Sequence, residues 1–152
     1  MRGVYTAEIE ASVSAAKTLV HITVPADSVI EILSCSITNS SIDSNEQLEA
    51  GLFRVATAGS PSGTSITPQK HENGDAASGV TALGDLTVEP TAYDSLGFDH
   101  NGFSNLGGYR YDPLPEERPI ISPSGAVGLR LLAAPGSATN IHAQIVYREI
   151  GG

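Results

Sequence analysis

Residues 141–148 read Ile-His-Ala-Gln-Ile-Val-Tyr-Arg, and apolar side chains recur at every second position. In an extended chain, one face would carry Ile141, Ala143, Ile145 and Tyr147. The opposite face would carry His142, Gln144 and Arg148. Successive side chains of a strand point to opposite faces of its sheet, so this period of two predicts a strand with one buried face.

The same period extends over most of the chain, and no stretch of helical length keeps a period of 3.6. Further strands are predicted at residues 4–13, 19–24, 29–38, 47–58, 80–89 and 126–133. In residues 29–38 the apolar phase slips between Ile32 and Leu33, which predicts a bulge or a strand buried on both faces. A turn of helix is considered only for residues 70–78.

The connections between these strands carry turn-forming residues, such as Pro25-Ala26-Asp27 and Asn73-Gly74-Asp75. Seven or eight short strands separated in this way are typical of a β-sandwich. The sequence therefore predicts an all-β protein. Its fold would be a single antiparallel β-sandwich domain of jelly-roll type that spans residues 1–152.

Composition sets limits on the function. The chain of 152 residues is long enough to bury a core without disulfides or metals, and its single cysteine, Cys35, is predicted to be a buried, inert thiol. The formal charge of −9 is spread along the chain and leaves no basic patch, which argues against nucleic-acid binding. The first residues lead directly into an alternating strand, so neither a signal peptide nor a membrane span is expected.

Five of the eight aromatic residues lie between Tyr93 and Tyr111, together with four glycines and without a regular period. The segment 93–119 is therefore predicted to be a long aromatic and glycine-rich loop, inserted between strands. Such rings carry more apolar area than a solvated loop normally exposes. Two interpretations remain open: the loop folds back over its own domain, or it docks on a partner chain.

No motif in the sequence specifies catalysis. In Gly59-Ser60-Pro61-Ser62-Gly63, a proline stands where a nucleophile-elbow serine would be required. The four histidines lack the spacing of metal ligands, and Asp43-Ser44-Asn45-Glu46 lacks the glycine and final glutamate of a calcium loop. Glu116 and Glu117 are predicted to be rim charges. We therefore expect no enzyme activity, no cofactor and no metal.

Three motifs carry a resemblance to a known group of proteins. They are Leu114-Pro115-Glu116-Glu117-Arg118-Pro119, Gly128-Leu129-Arg130-Leu131-Leu132-Ala133-Ala134-Pro135 and the closing Tyr147-Arg148-Glu149. Together with the first strand, Tyr5 to Ala11, they resemble small proteins encoded among the structural genes of tailed bacteriophages. Residues 59–112 depart from that group.

The resemblance implies a capsid cement, or decoration, protein. Such a β-sandwich sits on the outer surface of an icosahedral shell, often as a trimer, and clamps neighbouring major capsid proteins. The expected localisation is the virion, after synthesis in the host cytoplasm, with no nucleic-acid or membrane partner. Residues 1–4, the aromatic loop and residues 113–119 would supply adaptable contacts.

Aromatic and arginine side chains dominate the energies of protein interfaces. The predicted partner-binding residues are Tyr93, Phe98, Phe103, Tyr109, Arg110, Tyr111 and Arg118. We expect alanine at Phe98, Phe103 and Tyr109 to weaken assembly or docking and to leave the fold intact.

Two other classes of function remain open. The first is a carbohydrate- or receptor-binding module of a phage tail or head fibre, because loop aromatics and Asp or Asn side chains suit sugar binding. The second is a sandwich enzyme that acts on polysaccharide, which would need an acidic pair in a cleft.

Overall fold

The computed structural model describes residues 3–41 and 45–151. The strands, in chain order, are β1 (Gly3–Val13), β2 (Lys17–Thr23), β3 (Val29–Asn39), β4 (Gln47–Thr57), β5 (Ser62–Ile66), β6 (Gln69–Lys70), β7 (Thr81–Val88), β8 (Ala92–Tyr93), β9 (Asp99–Ser104), β10 (Tyr109–Tyr111), β11 (Ile120–Ile121), β12 (Ala126–Leu131) and β13 (Thr139–Gly151). A single 3-10 turn is described, at Pro115–Glu117. The predicted contacts from Met1 and Arg2, and Asp43 and Ser44 of the calcium-like segment, lie outside the described residues.

The strands form two antiparallel sheets that pack as a sandwich, which confirms the predicted fold class. Sheet A has the order β10-β3-β13-β1-β6, with β11 also paired to β3. Sheet B has the order β5-β7-β2-β12-β4-β8, with β9 also paired to β4. When the two-residue strands β6, β8 and β11 and the β5–β7 hairpin are left out, the sheets have the orders β1-β13-β3-β10 and β2-β12-β4-β9. The chain passes from one sheet to the other at each step except from β4 to β9, as in a jelly roll.

The side chains that the alternation in residues 141–148 predicted to be buried do lie in the core. Strand β13 pairs with β1 along one edge and with β3 along the other, so it is central in sheet A. Ile141, Ala143, Ile145 and Tyr147 are all buried, and the Tyr147 ring stacks on Tyr5 with centroids 5.7 Å apart. These side chains face the apolar residues of sheet B and close the core between the two sheets.

The phase slip near residue 33 is a β-bulge. Val146 pairs with Ser34 and Tyr147 pairs with Ile32, so Leu33 has no partner in the β13–β3 ladder. The extra residue lets Ile32 and Cys35 both face the core, where each is almost completely buried. This confirms the bulge as the correct reading of the slip.

Two expectations about local structure were wrong. Residues 99–104 and 109–111 of the aromatic segment form strands β9 and β10, which pair with β4 in sheet B and β3 in sheet A. The segment therefore completes both sheets and is not an irregular insertion. Residues 70–78 form no helix: Lys70 ends β6, and a single hydrogen-bonded turn is described after it, in which the N–H of Asp75 donates to the carbonyl of Glu72 at 3.1 Å.

Sequence periodicity missed β9 because its residues, Asp-His-Asn-Gly-Phe-Ser, are mostly polar. A strand at the edge of a sheet needs few apolar side chains when the backbone ladder holds it in place. Six residue pairs join β9 to β4, from Gln47–Ser104 to Leu52–Asp99. Among the described residues, no helix has the length and apolar character needed to cross a membrane.

Cys35 gives a direct test of this core. The side chain is 1 % exposed, and burial, assisted by the charges of Asp99 and Asp112, raises the thiol pKa to about 12. We expect a thiol reagent to leave native protein unmodified near neutral pH and to react fully after denaturant is added, because the thiolate is the reactive species. Rapid labelling of native protein would contradict the packing of β3 against sheet B.

Candidate functional site

Two of the predicted partner-binding rings lie in the core of the domain. Phe103 is 9 % exposed and Tyr109 is 3 % exposed, and their ring centroids are 6.0 Å apart. The Tyr109 hydroxyl donates a hydrogen bond of 2.6 Å to Asp99, and burial raises the pKa of this phenol. The two rings join β9 of sheet B to β10 of sheet A and close this edge of the sandwich.

Phe98 and Tyr111 are half-buried and pack against the same core. Arg110 is exposed and forms an ion pair with Asp112. The aromatic segment thus covers its own domain, which was the first of the two interpretations. The expectation that alanine at Phe98, Phe103 and Tyr109 leaves the fold intact conflicts with this burial, and a docking role for these rings stays a prediction.

Arg118 belongs to a second arrangement, on the outer face of sheet A. Glu31 accepts hydrogen bonds from Arg148 Nε at 2.9 Å and from Arg118 at 3.4 Å, and only 10 % of its side chain is exposed. Ile120 pairs with Glu31 across the β11–β3 ladder and is 53 % exposed. Ile150, two positions after Arg148 on β13, is 43 % exposed.

We call Glu31, Arg118, Ile120, Arg148 and Ile150 the sheet-A surface. Because the carboxylate of Glu31 holds both guanidinium groups against the sheet, the arginines are fixed side by side with little rotamer freedom. Exposed apolar side chains beside fixed arginines have the composition of the central part of many protein interfaces.

Tyr93 lies on the opposite side of the molecule, in a pocket of about 540 Å³ on the outer face of sheet B. This outer-face pocket is lined by Phe53, Glu89, Pro90, Thr91, Ala92, Tyr93, Asp94, Ser95, His100, Arg130 and Leu132. The chain between β7 and β9 crosses the face of the sheet there. It is held by backbone hydrogen bonds from Asp94 to Arg54 and from Phe98 to Leu52.

Two strand glycines make room for the rings of the pocket. A Cβ on Gly51 would lie 2.6 Å from the Phe53 ring, and a Cβ on Gly128 would lie 2.5 Å from the Tyr93 hydroxyl. Gly51 pairs with Arg130 and Phe53 pairs with Gly128 in the β12–β4 ladder. Each ring can therefore approach the sheet over a glycine, and the two rings meet edge-to-face with their centroids 6.4 Å apart.

Arg130 is positioned by these rings. Its guanidinium carbon lies 4.2 Å from the Tyr93 centroid and 5.0 Å from the Phe53 centroid, which are cation–π distances. Thr18 anchors the crossing chain: its hydroxyl lies 2.6 Å from the Tyr93 hydroxyl, and its backbone N–H donates to Glu89 at 2.7 Å. Burial raises the pKa of Tyr93 to about 12, so the phenol stays neutral at physiological pH.

His21 lies beside this pocket and is 1 % exposed. It pairs with Gly128, the residue under Tyr93, and burial lowers its pKa. Neither ring nitrogen has a hydrogen-bond partner among residues 3–41 and 45–151. The imidazole is therefore neutral at physiological pH, and the face of the sheet beneath Tyr93 carries no extra positive charge.

Sequence reasoning found Tyr93 but missed Phe53, His100 and Arg130, which lie on three different strands. No spacing along the chain connects them. The one available signal was Gly128, since a glycine inside a strand pattern marks a place where another group approaches the backbone closely.

The remaining candidates for chemistry do not form a reactive cluster in the described parts of the chain. No group of three or more His, Cys, Asp and Glu side chains there could hold a metal ion. Ser62 lies in β5, where its hydroxyl is 3.2 Å from that of Thr87. Glu116 and Glu117 are exposed on the 3-10 turn, as rim charges would be.

Comparison with known proteins gives no relative. No family model matches the sequence, and neither a curated protein nor a solved structure matches the chain. The function is therefore argued from the two surfaces described above.

Proposed function

We propose that this protein is a non-enzymatic cement, or decoration, protein that binds the outside of a tailed-phage capsid and clamps neighbouring major capsid proteins, as a homotrimer. The sheet-A surface is the observation that carries this proposal. It places Ile120 and Ile150, about half exposed, around two arginines that Glu31 holds in place. The resemblance of the C-terminal motifs to phage structural proteins supports the same function.

The position of this surface suits a clamp. Glu31, Arg148 and Ile150 of this surface lie on β3 and β13, which pair over most of their lengths, and Ile120 lies on β11, which also pairs with β3, so contacts made there act on a rigid platform. A partner that docks on rigid side chains loses little conformational entropy on the side of this protein. Many copies on one shell would then stabilise it by mass action, without any catalytic group.

The test replaces the two exposed isoleucines with serine, as Ile120→Ser and Ile150→Ser in one chain. Light scattering would measure the oligomeric state, and co-sedimentation with shells purified without this protein would measure occupancy. We expect the wild type to form trimers and coat the shells. The double variant should lose trimers, shell occupancy or both, because it removes the apolar contact area.

Leu106→Ser is the matched control. Leu106 is 52 % exposed, similar to Ile120, but lies in the turn between β9 and β10. It should trimerise and coat shells like the wild type. A monomer that does not co-sediment with any shell tested, or a double variant that behaves like the control, would refute the proposal.

A further inference from the structure

The outer-face pocket contains a hydrogen-bond donor and an acceptor that the protein itself does not use. The guanidinium of Arg130 and the carboxylate of Asp94 make no side-chain hydrogen bond or ion pair with any residue that the structure describes. Arg130 is half-buried and its guanidinium contacts two rings, so its donors are held in one orientation before any ligand arrives. Such preorganised groups bind a ligand at a reduced entropic cost.

The walls of the pocket combine apolar and polar surface. Phe53, Tyr93, Pro90 and Leu132 supply carbon-rich surface, and Thr91 and Ser95 supply hydroxyl groups. A volume of about 540 Å³ lies within the range of small-molecule sites, which is about 300–1,000 Å³. The ligand should therefore present an apolar patch and several groups that both donate and accept hydrogen bonds.

The charges of the pocket select among ligands of that size. In the described lining of the pocket, Glu89 and Asp94 accompany the guanidinium of Arg130, and His100 Nε2 lies 2.5 Å from a carboxylate oxygen of Glu49. With two carboxylates and one guanidinium this lining disfavours an anion, and the donors of Arg130 need an acceptor on the ligand, which an ammonium-type cation lacks. A sugar ring is neutral, its hydroxyls donate to carboxylates and accept from guanidinium groups, and its C–H face packs on aromatic and aliphatic side chains.

We infer that the outer-face pocket binds a neutral saccharide, with Arg130 and Asp94 as its polar anchors. This binding site lies on sheet B and is separate from the sheet-A surface, so it does not depend on the proposed capsid contact.

The test is a binding screen on purified full-length protein with neutral oligosaccharides: maltotriose, cellotriose, tri-N-acetylchitotriose and lactose. Protein-observed NMR would detect binding, and calorimetry would measure the Kd of the best ligand. We expect saturable binding of at least one of them, with shifts at Tyr93 and Arg130. Asp94→Asn and Arg130→Ala should each weaken binding about tenfold or more, because each removes a charged hydrogen-bonding group.

Arg54→Ala is the matched control for Arg130→Ala. Arg54 also lies over a ring, 4.8 Å from the centroid of Phe98, but it does not line the pocket. It should bind the saccharide like the wild type. No binding by any of these neutral sugars, tighter binding of acidic sugars than of neutral ones, or equal binding by wild type, Asp94→Asn and Arg130→Ala would each overturn the inference.

A glycine pair separates loss of the pocket from loss of the fold. Gly128→Ala should abolish binding because its Cβ would displace the Tyr93 hydroxyl, whereas Gly102→Ala, on β9 of the same sheet, meets nothing closer than 3.7 Å and should bind normally. Both variants should keep the far-UV circular dichroism of the wild type. Full binding by Gly128→Ala would also overturn the assignment of this pocket.

Discussion

Tyr109→Ala is expected to lower the free energy of unfolding by about 3–5 kcal/mol, which is a large part of the stability of a domain of this size. Tyr109 is 3 % exposed and packs on Phe103, so its removal leaves a cavity where the two sheets meet. It also leaves Asp99 without the hydroxyl that donates to it. Denaturant unfolding followed by circular dichroism would measure the change.

The neighbouring residue supplies the control. Arg110 is on the same strand but exposed, and its ion pair with Asp112 is at the surface, so Arg110→Ala should leave the stability nearly unchanged. Tyr109→Phe keeps the ring and should cost about 1–2 kcal/mol, since it removes only the hydrogen bond to Asp99. If Tyr109→Ala cost no more than Arg110→Ala, the ring would be surface-exposed and available for docking.

Alkaline pH is expected to unfold this protein cooperatively. Burial raises the pKa of Cys35 to about 12 and also raises the pKa values of Tyr109 and Tyr147 above the ordinary value of a phenol. All three side chains are at most 3 % exposed. Above the unfolded-state pKa values, about 8.5 for cysteine and 10 for tyrosine, the unfolded chain binds fewer protons than the folded one.

Because the folded state holds more protons in this range, stability falls as the pH rises. Each group that stays protonated in the folded state lowers the free energy of unfolding by about 1.4 kcal/mol per pH unit. The three groups together therefore lower it by about 4 kcal/mol per unit above about pH 10. A domain of ordinary stability should then unfold near about pH 11–12. Urea unfolding at a series of pH values, with tyrosinate absorbance followed in parallel, would measure this dependence.

The chain has a formal charge of −9, so repulsion among its negative charges is a second possible cause of alkaline unfolding. Measurements at high salt separate this repulsion from the titration of the buried groups. High salt screens the surface charges but leaves the buried groups unaffected, so the alkaline transition should persist in it. Tyr147→Phe should make the pH dependence shallower because it removes one of the three groups. Tyrosinate that forms at every tyrosine while the circular dichroism stays native would contradict the prediction.

The strands with strong alternation were predictable because each has one apolar face that only a core can cover. Residues 141–148, the first strand and the fold class were identified in this way. The phase slip near Leu33 was also visible, but it allowed either a bulge or a strand buried on both faces. Strand β9 was missed, since Asp99, His100 and Asn101 carry no apolar period and are held by the ladder with β4. The aromatic segment was recognised as unusual, but the sequence could not decide between a loop that covers its own domain and one that docks on a partner. The structure places Phe103 and Tyr109 in the core of the domain itself.

The sequence by itself determined the sandwich, its central strands and the buried thiol, because these follow from local alternation of apolar residues. Only the tertiary structure decided which side chains meet. The pairing of β12 with β4 brings Arg130 into contact with Phe53, and the pairing of β13 with β3 brings Arg148 to Glu31. Residues that are distant in the chain meet through strand order and register, which are properties of the whole sheet and not of any single segment.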